Sequence, residues 1–331
     1  MSARSRKILM MPGMTSSTTC GFELISAEYT GADRLAAWKA RWGINRMAYR
    51  IKPGLYALGG PSASSPVFAS ANYKLSFDAL RTNLKGISAW LLVLDTKGIN
   101  VWCAAGKGTF GTLELARSIR ESGLEKLVNH RSVTLPQLGA PGVSAHRVKA
   151  YTGFSITYGP VRAEDIPEFI ASGCKASPEM RKVRFGFAER IVLAPVQLTQ
   201  FGRYLVPASV ILLLFGLKAD SLLTAGALLA GTVLVPALLP WLPGRSFAVK
   251  SAAAGLATTA VLSAFLPMPI YQFCARGLIY SAAASFIGLD FTGASTYTSL
   301  SGVKKEMRAA LPAQALALLA GLLLLLFGRF L

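Results

Sequence analysis

The rhythm of apolar and polar positions changes twice along the chain. From residue 1 to about 65 no period is sustained beyond one helical stretch near Asp33 to Trp42, and a Pro/Gly/Ser run, GGPSASSPVF, closes this lead-in segment. From Pro66 short apolar runs alternate with helix-period stretches. PVFAS, WLLVLD, GINVW, VTLP and VSAHRVKAY read as strands, and Phe77 to Leu84, Thr112 to Glu121 and Ala163 to Ala171 read as helices. Such alternation predicts an α/β domain with a mainly parallel sheet over residues 66–180. A basic linker, 181–200, carries Arg181, Lys182, Arg184 and Arg190. Beyond it lie five apolar segments: Phe201–Leu217, Ser221–Leu242, Phe247–Leu266, Pro269–Leu289 and Ala309–Phe327. Each is near the ~20 residues that cross a bilayer, so residues 201–331 are expected to form an all-α transmembrane domain of five helices.

Composition sharpens this division. Of 331 residues, 52% are apolar and 15% charged, with 35 Lys and Arg against 16 Asp and Glu. Up to Gly202 there are 26 basic and 13 acidic residues, leaving 9 and 3 for the remainder. Basic residues cluster at Arg181–Arg203, at Arg245 and Lys250, and at Lys304, Lys305 and Arg308. The alternate connections hold Lys218 with Asp220 and then Pro267, Met268 and Pro269. That bias predicts an inner-membrane protein with its α/β domain in the cytoplasm and its C-terminus outside. No dense basic patch interleaved with aromatics points to nucleic acid, and anionic lipid accounts for the net charge of +19. The start, MSARSRKILMMPGM, has too short an apolar run for a secretory signal.

Cys20, Cys103, Cys174 and Cys274 are widely spaced and form no metal-ligand pattern, so no iron–sulfur cluster is expected on this chain alone. The chemically unusual stretch is NVWCAAGKGTFGT, Asn100 to Thr112. Gly106, Gly108 and Gly111 fit a dinucleotide fingerprint literally, but Cys-Ala-Ala intervenes between strand and glycines and no acidic residue closes a later strand. A P-loop fails because Val101 stands where its first glycine belongs. A third reading makes Asn100 a helix N-cap, with Cys103 in the first turn and Lys107 one turn later on the same face. A helix N-terminus and an ammonium both favour thiolate over thiol. Ala104, Ala105, Gly106 and Gly108 would let a flat, bulky group approach the backbone. The alternative for Cys103 is a buried cysteine packing as a small hydrophobe, and Trp102 is expected chiefly to pack beneath the helix.

This stretch resembles the cap-helix motif of the mercury-methylating corrinoid proteins, whose soluble domain is similar to the corrinoid-binding part of the corrinoid iron–sulfur protein of acetyl-CoA synthesis. The likeness extends through SANYKLSFDALR (Ser70 to Arg81), LLVLDTKGIN (Leu91 to Asn100), YGPVRAEDIPEF (Tyr158 to Phe169) and STYTSLSGVKKEMR (Ser295 to Arg308). It implies a Rossmann-like domain holding a cobalamin-type corrinoid with its lower base displaced. Cys103 would be the axial ligand to cobalt, and Asn100, Val101, Trp102, Ala104, Ala105, Gly106, Lys107 and Gly108 would surround the cofactor. Ser70, Asn72 and Ser76 would belong to the loop about the corrinoid or its tail. The implied activity is transfer of a methyl group from Cys-ligated methylcobalamin to inorganic Hg(II). The implied partners are a methyl donor or one-carbon carrier protein and a ferredoxin-like 4Fe–4S reductant. The alternatives are a membrane-bound methyl carrier of a one-carbon or acetyl-CoA pathway, and a transporter whose soluble domain is regulatory.

Overall fold

The computed structural model describes residues 21–294 and 300–330, so Cys20 and the first five residues of STYTSLSGVKKEMR lie outside it. The chain divides into two compact units: residues 1–40 with 45–183, and residues 41–44 with 184–331.

The first unit is a three-layer α/β/α arrangement. Its elements run β1 (Glu23–Ile25), α1 (Gly31–Arg41), β2 (Gly54–Leu58), β3 (Val67–Ala71), α2 (Lys74–Asn83), β4 (Ala89–Leu94), α3 (Val101–Lys107) and α4 (Thr112–Glu121). They continue through α5 (Leu124–Leu127), β5 (Ser132–Leu135), α6 (Ala145–Thr152), β6 (Ser155–Tyr158) and α7 (Ile166–Ala171). The six strands lie in the order β1-β2-β4-β3-β5-β6. The run β4-β3-β5-β6 is parallel, whereas β2 is antiparallel to β4, pairing Gly54 with Val93 through Leu58 with Ala89. Both faces of the sheet are covered, which is why β4 reads as an unbroken apolar run. Trp90, Leu92 and Leu94 face Val101, Ala104, Phe110, Leu115 and Val148 on one side. Leu91 and Val93 face Phe77, Leu80, Leu84 and Ile166 on the other.

Three sequence expectations change here. GINVW is not a strand: Asn100 caps a helix that begins at Val101. VSAHRVKAY is helix α6, whose buried Val148 packs into the core, and the strand follows it as β6, SITY. Alternation of small and large residues mimicked a period of two in VSAHRVKAY, and Gly153 at φ 77° ends the helix in a left-handed cap. Lastly, residues 23–25 and 54–58, expected in a loop-rich lead-in, supply two strands of the same sheet.

The second unit is helical. It comprises α8 (Phe187–Ile191), α9 (Ala194–Leu214) and α10 (Lys218–Leu229), the last passing through a π-helical turn, Ala230–Leu234, into α11 (Val235–Leu238). Then come α12 (Phe247–Ser263), α13 (Ile270–Asp290) and α14 (Leu300–Phe327). Against the expectation of five, two helices of the described residues have the length and apolar composition to cross a membrane: Lys218–Leu238 and Ser301–Phe327. Arg276, an isolated charge in the fourth apolar segment, makes a bidentate pair with Asp220 at 2.9 Å to each oxygen, and Tyr280 donates to the same carboxylate at 3.1 Å.

Candidate functional site

The chain runs from β3 to β4 on one side of the sheet and returns to β5 on the other, so the strand order reverses between β3 and β5. Ligands of open α/β sheets bind outside the carboxyl ends of strands at such a reversal. Here β3 and β5 pair at Phe68 and Thr134, and beyond that register a cleft of about 240 Å³ opens. Ser70 and Ser76 line it from β3 and α2, Thr134 and Pro136 from β5, and Gly159 to Ala163 from the loop after β6. Asn100, Val101 and Trp102 line it from the start of α3.

Helix α3 is built by local chemistry at both ends. The Asn100 side-chain oxygen accepts the Cys103 N–H at 2.9 Å, satisfying one of the free donors of the first turn. Gly108 ends the helix at φ 80°, a conformation glycine adopts without steric cost. Val101, Ala104 and Ala105 turn inward and are at most 7% exposed, packing on the 3-10 stretch Gln137–Gly142. That approach requires glycine at 142, since a Cβ there would run into the Phe110 carbonyl oxygen and stand 3.0 Å from Ala105 Cα. Trp102 is 36% exposed at the cleft rather than packed beneath the helix. Cys103 is half-buried and unbridged, and Gly106 and Lys107 are exposed. Beyond the local backbone, no atom lies within 4 Å of where a Cβ on Gly106 or Gly108 would stand. The outer side of α3 therefore presents one soft sulfur beside bare backbone.

The turn leading into α3 is fixed from below. Asn72 is 2% exposed, and its Oδ1 accepts from the Thr96 N–H (3.2 Å), the Thr96 hydroxyl (2.8 Å) and the Gly98 N–H (2.9 Å). Its Nδ2 donates to Asp95 at 3.2 Å. The Asp95 carboxyl is held below its ordinary range, chiefly by the hydrogen bond from Lys97 against the opposing effect of burial. With every polar atom of its side chain engaged, Asn72 shapes the 95–98 turn and is not among the residues lining the cleft.

Of the residues singled out in the sequence, then, the structure gathers Ser70, Ser76, Asn100, Val101 and Trp102 at the cleft. It places Cys103, Gly106, Lys107 and Gly108 on α3 outside the lining, and Ala104 and Ala105 in the core. Sequence reading missed Thr134, Pro136 and the 159–163 loop as site residues. The Gly159-Pro160 pair was visible as a turn, but the strand before it was not recognised, so nothing placed that turn at a strand's carboxyl end.

Comparison with known proteins fits this geography. The family model described as CO dehydrogenase/acetyl-CoA synthase delta subunit (CdhD) matches residues 44–170, a span that holds five of the six strands, the cleft and α3. The gamma subunit of the acetyl-CoA decarbonylase/synthase complex of Archaeoglobus fulgidus is 33% identical over 118 residues, 35% of this chain and 25% of that protein. The gamma subunit of Methanopyrus kandleri is 31% identical over 127 residues, 38% of this chain and 27% of that protein. A gamma 2 subunit of Methanosarcina thermophila is 36% identical over 99 residues, 29% and 21% of the two chains. The similarity thus spans about a quarter of the length of these relatives.

Proposed function

We propose that the chain is a membrane-anchored, corrinoid-dependent methyltransferase that passes a methyl group to inorganic Hg(II). The observation carrying this reading is Cys103: a half-buried, unbridged thiol on a capped helix, beside glycine backbone open to a flat ligand and at the edge of a cleft at the sheet's reversal point. These features fit a corrinoid. Cys103 would ligate its cobalt, the bare backbone at Gly106 and Gly108 would admit the macrocycle, and Ser70, Ser76, Asn100 and Trp102 would hold the displaced tail in the cleft. When bound, the corrinoid supplies a transferable methyl group. A thiolate is a soft, strongly donating ligand, and as a ligand to the corrinoid the Cys103 sulfur would favour transfer of methyl to an electrophile. Asn100 keeps the sulfur at the head of its helix, and Asn72 keeps Asn100 in place through the 95–98 turn.

Likeness to acetyl-CoA decarbonylase/synthase subunits supports a second reading, a corrinoid methyl carrier of one-carbon metabolism that serves a nucleophilic acceptor. Its support covers the domain and the class of chemistry, whereas the preference for an electrophile rests on the cysteine ligand. Both readings call for a methyl donor and for a separate reducing partner, a ferredoxin-like iron–sulfur protein.

The second unit supports a membrane anchor of five crossings, α9, α10 with α11, α12, α13 and α14. Beyond its two long apolar helices, it exposes Leu214, Phe215, Phe265, Ile270 and Leu326 at 63–80%, an apolar surface that water does not tolerate but lipid does. The loop bias in Lys and Arg supports a cytoplasmic α/β unit.

The test is the visible absorption spectrum of the purified chain. A bound corrinoid is strongly coloured, and its bands should shift when Cys103→Ala removes the sulfur ligand. A colourless protein after anaerobic reconstitution with cobalamin would overturn both corrinoid readings. A coloured protein whose spectrum ignores the substitution would overturn the thiolate ligand.

A further inference from the structure

Within the second unit, α12, α13 and α14 line an open-sided pocket of about 750 Å³, inside the size range of small-molecule sites. Its walls are small side chains, among them Ala252, Ala309, Ala313 and Ala317. The hydroxyl of Ser285 in the wall is already engaged, donating to the Ala248 carbonyl at 2.9 Å and accepting from Gln314 at 2.8 Å. The interior is therefore mainly apolar, with the buried Gln314 Oε1 left without a hydrogen-bond partner. One end differs. Arg245, which precedes α12, and Lys305, near the start of α14, both line the cavity, both are exposed, and neither has an ion-pair partner among the described residues. The carboxylate between them, Glu306, is already taken: it accepts the Ser246 hydroxyl at 2.8 Å and the Ala248 N–H at 2.7 Å, at the first turn of α12. Ala317 lies twelve positions beyond Lys305, ~18 Å along the helix.

We propose that this cavity binds one anionic phospholipid, its phosphate between Arg245 and Lys305 and an acyl chain along the alanine wall. Two cations without ion-pair partners at the mouth select an anionic headgroup, and a wall that is mostly alanine, with the Gln314 Oε1 its one buried unpaired acceptor, suits a hydrocarbon chain. The mouth also belongs to the loops whose Lys and Arg content marks the cytoplasmic side, where anionic lipid faces the protein. The site rests on the membrane reading of the second unit and is independent of the corrinoid reading.

The experiment places the full chain in nanodiscs of phosphatidylcholine with phosphatidylglycerol, extracts it into mild detergent and counts retained lipid by native mass spectrometry. One phosphatidylglycerol per chain is expected for the wild type, reduced roughly tenfold or more in Arg245→Glu/Lys305→Glu. Ala313→Leu, which narrows the channel and leaves the cations in place, should lower retention with an unchanged melting temperature. Equal retention of phosphatidylcholine, or phosphatidylglycerol retained equally by both variants, would overturn the site. Failure of the chain to enter the discs would overturn the membrane reading and the site with it.

Discussion

Asn72 and Cys103 do different work in the same region, and single substitutions separate them. Asn72→Ala leaves the Thr96 and Gly98 N–H groups without their buried acceptor, a loss of about 1–3 kcal/mol. Chemical denaturation of the first unit should report that loss. An unchanged stability together with weakened corrinoid uptake would instead give Asn72 a direct part in binding. Gly142→Ala forces a methyl group into the Phe110 carbonyl beneath α3 and should destabilise by roughly 1–3 kcal/mol, with corrinoid uptake falling because α3 loses its seat. An alanine variant as stable as the wild type would show that the backbone here yields. The Asn100 cap and the position of Cys103 could be read from the sequence because a cap is a local device: an Asn ahead of a helical run needs no distant partner. The burial of Asn72 could not. Its partners, Asp95 to Gly98, are more than twenty residues away and meet it only because β3 and β4 are adjacent strands.

Among elements, α1 and α2 are joined by a network of four ion pairs. Lys74 reaches Asp33 and Asp78 at 2.8 and 2.6 Å, and Arg81 reaches the same two carboxylates at 2.9 and 2.7 Å, while also capturing the Ser26 and Glu28 carbonyls. The four side chains are 4–24% exposed, so water screens this network less than a surface pair. Burial alone would raise the Asp33 carboxyl, but hydrogen bonds from Lys74 and Thr30 outweigh it and hold the group well below the usual carboxylate range. The sign follows from the depressed value: the stabilisation is complete above the unfolded pKa near ~4 and is lost as pH falls below it. Thermal unfolding followed between pH 7 and 3 should show a steep acid limb that flattens in Asp33→Asn, a variant already less stable at pH 7. Parallel limbs for the two proteins would contradict the network's role. The sequence revealed none of this, since α1 was visible as a helix but nothing in its spacing named its partner. Strand β2 escaped for the same reason. GLYAL is too short to show a period, and its place in the sheet comes from pairing with β4.

For the whole molecule, the division into a first unit ending at Val183 and a helical remainder makes two expectations measurable. A chain truncated after Val183 keeps the cleft, α3 and the sheet, and should take up corrinoid with a spectrum like that of the full chain. A truncated chain that folds yet stays colourless would make the helical unit part of the site. Single cysteines near Lys218 and near Lys304, in a chain otherwise free of cysteine, should be labelled by an impermeant reagent from opposite sides of the membrane, with the Lys304 position protected from outside. Labelling of that position from outside would reverse the orientation. The apolar segments of this unit were legible because long runs of apolar residues show directly in the sequence. The partner of Arg276 was not, because Asp220 stands 56 residues away and is brought to it by helix packing.

The central claim is that the Cys103 sulfur directs methyl transfer to a metal electrophile. It is tested most directly by methylmercury formed from Hg(II) under reducing, anaerobic conditions, normalised to bound corrinoid, for the wild-type chain and Cys103→Ala. Methylmercury is expected from the wild type and little or none from the alanine variant, although that variant loses only about 1 kcal/mol of packing. Near-normal yield per corrinoid from Cys103→Ala would contradict it.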